Sequence, residues 1–210
     1  MKRLAIDVSG LTIAKQSRAY SGTLMNSAED LIARVRRGDD EAFRLIFERY
    51  ARPIISFIYD MVGERGLAEE LTQETFVRAY KNIHALRDET KLSTWLFGIA
   101  KNVARESLRS RRALDRNVNL DDQDVMELRD KSLAPDGQLL DKELSCTIRD
   151  ALAQLDEDKR LVFTLKVLQQ QSYEQIAGIT GFSIPKLKTD LHRARAEMRR
   201  LLGVYLEVSQ

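Results

Sequence analysis

Apolar residues recur along most of this chain at three- and four-residue intervals, with polar residues between them. That is the period of amphipathic helices, not of strands. Leu31, Ile32 and Val35 mark a first short helix, with Ser27 as its N-cap, Asp30 three residues on, and Gly38 at its end. A long stripe follows through Phe43, Phe47, Tyr50, Ile54, Phe57, Ile58 and Met61. Pro53 interrupts it and predicts a kink, and Gly63 and Gly66 close the segment. A third helix is expected from about Leu67 to Ala85. A fourth runs from about Leu92 to Arg112, capped by Ser93 or Thr94. After Ala113 the periodicity fades. It returns with Leu144, Ile148, Leu152 and Leu155, then with Leu161, Val162, Leu165 and Leu168 beyond a start near Asp156. The last pattern is a short helix through Ile176, Ala177 and Ile179, a reversal at Gly181, and a longer helix. The longer helix buries Ile184, Leu187, Leu191, Ala194, Met198 and Leu201. Ser183 is placed to cap that helix, and Pro185 falls in its first turn, where a missing N–H costs little.

The fold class expected is therefore all-α: two small helical domains joined by a flexible acidic linker. Residues 1–26 read as a disordered N-terminal extension, 27–113 as the first domain, 114–137 as the linker and 138–208 as the second domain. The linker is placed by composition. Asp115, Asp121, Asp122, Asp124, Glu127, Asp130 and Asp136 outnumber Arg116, Arg129 and Lys131, and Pro135-Asp136-Gly137 is a turn signal.

Bulk charge changes the picture little. A formal net charge of +2 gives no global attraction to nucleic acid, so any such role must lie in local patches. One cysteine, Cys146, excludes an internal disulfide and a cysteine-based zinc site, which fits a reducing cytoplasm. No apolar run approaches the roughly 18–20 residues of a membrane span. Asp7 and Lys15 break the N-terminal apolar stretch that would otherwise suggest a signal peptide, and Met25 is the expected biological start.

Three faces carry candidate chemistry. On the third helix, Leu67, Leu71, Thr75 and Phe76 can face a core while Glu70, Gln73 and Glu74 cluster outside. That cluster suits docking on a basic protein surface, and a plain solvated face is the alternative. On the fourth helix, Leu92, Trp95, Leu96, Ile99 and Val103 share one side, with Trp95 read as core. Lys101, Arg105, Arg109 and Arg112 share another side and could neutralise several phosphates. Asn102 lies beside that stripe with both a donor and an acceptor for a base edge. On the last helix, Lys186, Lys188, Thr189, His192 and Arg193 lie opposite the buried stripe, which is the layout of a helix-turn-helix.

Taken in order, AEELTQETFVRAY, KLSTWLFGIAKNVA with its basic tail, the acidic linker, and the final helix-turn-helix resemble a bacterial RNA polymerase sigma factor of the extracytoplasmic-function group. The resemblance covers about residues 27–205. It implies that 27–113 is region 2 and 138–208 region 4. It implies that Glu70, Gln73 and Glu74 dock on the β′ clamp helices of the polymerase core. It assigns Asn102, Lys101 and Arg105, with loop residues Thr90 and Lys91, to capture of the opened −10 element. It assigns Lys186, Lys188, Thr189, His192 and Arg193 to the −35 element, with region 4 also on the β flap. An anti-sigma factor is a further implied partner, and no cofactor is expected. Pro185 and Asp190 depart from the family pattern and leave the −35 preference open.

A free-standing helix-turn-helix regulator is the competing reading; it would bind duplex DNA without polymerase. An enzyme is not supported. The only histidines are His84 and His192, and no nucleophile–base pairing, Gly-rich phosphate loop or metal-ligand spacing is present.

Overall fold

The computed structural model describes the backbone of residues 27–118 and 139–207, and side chains within 27–114 and 145–203. The expected extension and most of the expected linker lie outside those residues. All regular structure among the described residues is helical.

The first half holds α1 (Ala28–Arg36), α2 (Asp40–Val62), α3 (Arg65–Asn82) and α4 (Leu92–Val118). Two short 3₁₀ turns, Ile83–Ala85 and Glu89–Lys91, connect α3 to α4. Local chemistry explains the boundaries. Ser27 accepts from the Asp30 N–H at 3.2 Å, and Asp39 accepts from the N–H groups of Glu41 and Ala42, so orphan donors at both helix starts are satisfied. Gly63 ends α2 at φ 78°, a left-handed conformation that disfavours other residues, and its N–H reaches Tyr59 O at 2.8 Å.

The structure differs from the sequence reading at four points. α2 continues as one helix through Pro53, because burial of Ile54, Phe57 and Ile58 just beyond it outweighs one lost backbone bond. Gly66 lies inside α3 and does not end the preceding segment. Ser93 and Thr94 lie inside α4; the turn before it is capped instead by Asp88, which accepts from the Thr90 N–H. α4 also runs to Val118, through the first five residues of the expected linker, where Leu114, Asp115 and Arg116 continue the helix.

The second half holds α5 (Leu139–Gln154), α6 (Glu157–Phe163), α7 (Tyr173–Thr180) and α8 (Ile184–Glu207). α6 widens into a π-turn, Thr164–Leu168, and the chain leaves it through Gln170 at φ 54°. Ser172 and Gln175 form a reciprocal capping box that starts α7. Gly181, at φ 77°, turns the chain into α8, where Ser183 accepts from the Lys186 N–H as expected of its cap. Leu187, Leu191, Ala194 and Met198 are buried, so the apolar stripe of α8 faces inward as its spacing predicts.

The core is continuous through both halves. Phe57 and Phe97, Phe47 and Phe76, and Phe43 and Tyr80 meet edge to face, which binds α2 to α3 and α4. Thr72 and Thr75 are fully buried, and each donates its hydroxyl to the carbonyl four residues back, leaving no unpaired polar group there. α5, α6 and α8 form the second core, and α7 lies against α4.

Candidate nucleic-acid interface

The outer side of α3 is built as its sequence predicts, with two additions. Glu70 and Gln73 are exposed. Glu74 is half-buried and held by Arg78 at 2.7 Å, and Arg78 also reaches Glu106 at 2.8 Å. Val77 and Tyr80 extend the same strip and are 39% and 40% exposed. The sequence reading missed both. Tyr80 is fixed in place by its hydrogen bond to Asp40 at 2.7 Å and its contact with Phe43. An acidic strip edged by two apolar side chains is suited to a protein partner more than to water alone.

The loop before α4 is held from a distance. Arg36 of α1 donates to Glu89 at 2.6 Å and to the Leu86 carbonyl. Thr90 and Lys91 are exposed on that loop, and Lys91 pairs with Asp88 at 2.9 Å. The hydrogen bond from Thr90, with Lys91 beside it, holds the Asp88 carboxyl below the usual range.

Asn102 is exposed on α4 and lines a cleft of about 260 Å³ with Arg78, Asn82, Trp95, Ile99 and Glu106. Trp95 is half-buried: it packs against the core, as expected, and its remaining surface also lines this cleft. An indole face beside an amide is a fitted arrangement for a base taken out of its stack. A wider neighbouring cleft of about 600 Å³ is bounded by Thr94, Trp95 and Asn102 on one side and by Gly178 and Ile179 of α7 on the other.

The basic stripe of α4 faces the second half. Lys101 donates to the Ile179 carbonyl at 2.9 Å; burial, then the adjacent Arg105 charge, holds its amine below the ordinary lysine range. Arg105 donates to Asp158 at 2.6 Å and lies 2.8 Å from Glu157. Arg112 reaches Glu157 at 3.1 Å, while Arg109 is exposed.

The outer face of α8 presents Lys186, Lys188, Thr189, His192 and Arg193, all exposed. Lys186 lies over the Phe182 ring at 3.8 Å and pairs with Asp158 at 3.0 Å and Asp190 at 2.6 Å. Asp190, only 13% exposed, is therefore the counter-ion of Lys186 within α8. Burial alone would raise the Asp158 carboxyl, but Lys186 and Arg105 outweigh it and hold it below the usual range. Pro185 follows Ile184 at the start of α8 and leaves the helix intact, with Thr189 donating to its carbonyl at 3.0 Å. Among the described residues there is no cluster of metal-ligating side chains, and no helix is long and apolar enough to cross a membrane.

An acidic strip, a basic helix with an amide-lined cleft, and a helix-turn-helix together define a two-module DNA-reading protein. Residues 46–114 match the family model of Sigma-70 region 2, and residues 147–198 match that of Sigma-70, region 4. RNA polymerase sigma-H factor of Pseudomonas aeruginosa is 32% identical over 83% of this chain and 93% of its own. ECF RNA polymerase sigma factor SigW of Bacillus subtilis is 32% identical over 81% of this chain and 94% of its own. Among solved structures, the sigma factor RpoE of Bartonella quintana, crystallised with the anti-sigma factor NepR, matches with a TM-score of 0.64. It is 25% identical, and the match covers 77% of this chain and 97% of that one. The chain belongs to the sigma-70 family of RNA polymerase sigma factors, in the extracytoplasmic-function group, and its function is promoter-specific transcription initiation.

Proposed function

We propose that residues 27–113 act as region 2 and residues 138–208 as region 4 of a cytoplasmic sigma factor that has no catalytic step of its own. The strip of Glu70, Gln73 and Glu74, edged by Val77 and Tyr80, docks on the β′ clamp helices of core polymerase. The exposure of Glu70, Gln73, Val77 and Tyr80 along one helix supports this. Asn102 captures a flipped base of the −10 element in the cleft walled by Trp95, with Thr90, Lys91, Lys101 and Arg105 on the adjacent backbone. Lys186, Lys188, Thr189, His192 and Arg193 read the −35 element from the major groove, while other faces of the second half contact the β flap.

The observation that carries this reading is the Asn102 cleft on a helix separate from the helix-turn-helix. A simple duplex-binding regulator needs only the second of these. Both modules on one polymerase act at high effective concentration, so modest individual contacts suffice. An anti-sigma factor is the further partner, supported by the likeness to the Bartonella sigma factor crystallised with one. The test is a gel shift of promoter DNA with and without core polymerase. A shift that requires polymerase supports the reading; an equal shift without polymerase returns the protein to the regulator class.

A further inference from the structure

The loop that carries Arg87, Asp88, Glu89, Thr90 and Lys91 runs between two buried side chains, Leu86 and Leu92, and buries none of its own. Its path therefore depends on polar ties. Asp88 works inside the loop: its carboxylate accepts from the Thr90 N–H at 3.1 Å and from the Thr90 hydroxyl, and it pairs with Lys91 at 2.9 Å. Such contacts shape the loop but do not place it on the rest of the molecule.

Arg36 places it. One end of its guanidinium donates to the Glu89 carboxylate at 2.6 Å and the other to the Leu86 carbonyl. The helix that carries Arg36 is itself seated in the core by Leu31, Ile32 and Val35. Basic residues at a helix end often serve only its dipole. Here they divide: Arg34 closes the corner onto Asp39 at 2.8 Å, Arg37 is exposed, and Arg36 crosses to the loop. The Arg36 and Glu89 side chains are 29% and 32% exposed, so water only partly screens the pair. The Glu89 carboxyl lies below its usual range, held there by its own backbone N–H and then by Arg36. A planar fork that serves two acceptors at once is a contact an ammonium does not reproduce. The loop so fixed walls the wider cleft, where Leu86, Arg87, Asp88 and Lys91 stand with Trp95 and Asn102.

We propose that Arg36 is a positioning residue for −10 recognition: by joining the Leu86 carbonyl to the Glu89 carboxylate, it sets where Arg87, Thr90 and Lys91 stand relative to Asn102. The contribution to recognition rests on the proposed function; the fixing of the loop does not. A fixed loop rejects a wrong base because its donors are then left unpaired, whereas an untied loop moves to suit that base. Discrimination at the −10 element is thus what Arg36 supplies.

The full chain is compared with Arg36→Gln, Glu89→Ala, the two together, and Arg37→Gln as a control. Trp95 is the only tryptophan, so acrylamide quenching of its fluorescence in the free chain reads the loop beside it. Competition between promoters that differ only in the −10 or only in the −35 element, with core polymerase, reads discrimination. Arg36→Gln and Glu89→Ala should each open Trp95 to acrylamide, and Arg37→Gln should not. Arg36→Gln should lower −10 discrimination about tenfold, the scale of one charge-assisted hydrogen bond, and leave −35 discrimination unchanged. The double variant should be no worse than Arg36→Gln alone, because the two side chains act as one contact. Unchanged quenching in both single variants overturns the fixing of the loop. Losses that simply add overturn the Arg36–Glu89 pairing as the means. Increased quenching with −10 discrimination intact, or equal losses at both elements, overturns the positioning role. Failure of the sigma reading appears separately, as absence of polymerase-dependent transcription by the unaltered chain with the quenching result intact.

Discussion

Arg105 of α4 donates to Asp158 of α6 across 2.6 Å, joining the helix proposed to read melted DNA to the half that carries the helix-turn-helix. The stripe of Lys101, Arg105 and Arg112 is thus engaged within the molecule, while Asn102 beside it stays exposed. Base capture and backbone attraction are therefore separable by mutation.

Asn102→Ala should impair promoter opening more than it impairs polymerase association. Loss of one hydrogen-bonding amide against a desolvated base costs about 1–3 kcal/mol. Permanganate footprinting of the −10 region should show weaker reactivity at equal occupancy. Normal opening would remove Asn102 from the role.

On α3, Glu70→Lys with Gln73→Lys should reduce capture of core polymerase, and Val77→Asp should do so independently, each by about tenfold. All three residues are exposed, so the fold should tolerate the changes. Unchanged pull-down by core enzyme would leave the strip a solvated face.

Arg193→Ala should lower transcription from promoters with a matched −35 element by about 1–3 kcal/mol if Arg193 contacts a base edge. Competition between matched and mutated −35 sequences reads this directly. A uniform loss across sequences would make Arg193 a phosphate contact instead.

Asp60 gives a pH signature. Burial raises its carboxyl from 3.8 to about 6, and Arg149 of α5 only partly offsets this. The folded chain therefore holds this proton more tightly than the unfolded one, and stability falls as pH rises from about 4 to about 6. Asp60→Asn should add up to about 2–3 kcal/mol above that window and little below it, measured by urea unfolding near pH 7.5 and pH 4. An equal gain at both pH values would contradict the burial of a charged Asp60.

What was legible in the sequence is what local chemistry decides. Ser27, Gly181 and Ser183 act within one turn of themselves, and the α8 stripe needs only its own spacing, so each is found where expected. Gln170 and the π-turn before it depend on how α6 packs, and no residue there announces a left-handed backbone. Trp95 packs against the core as its spacing predicts, but helical spacing alone did not show that it also lines a cleft. The pairing of Arg105 with Asp158 links positions 53 residues apart, and a basic stripe reads the same whether phosphates or carboxylates face it. Val77 and Tyr80 have a weaker signal that could have found them: they continue the outer strip of Glu70 and Gln73 at helical spacing.

The most direct measurement is in vitro transcription with core RNA polymerase on a library of genomic fragments, followed by start-site mapping. The chain should switch on a discrete set of start sites, each preceded by shared −35 and −10 elements. Transcription no greater than that of core enzyme alone, or start sites without a common upstream sequence, would contradict its action as a sigma factor.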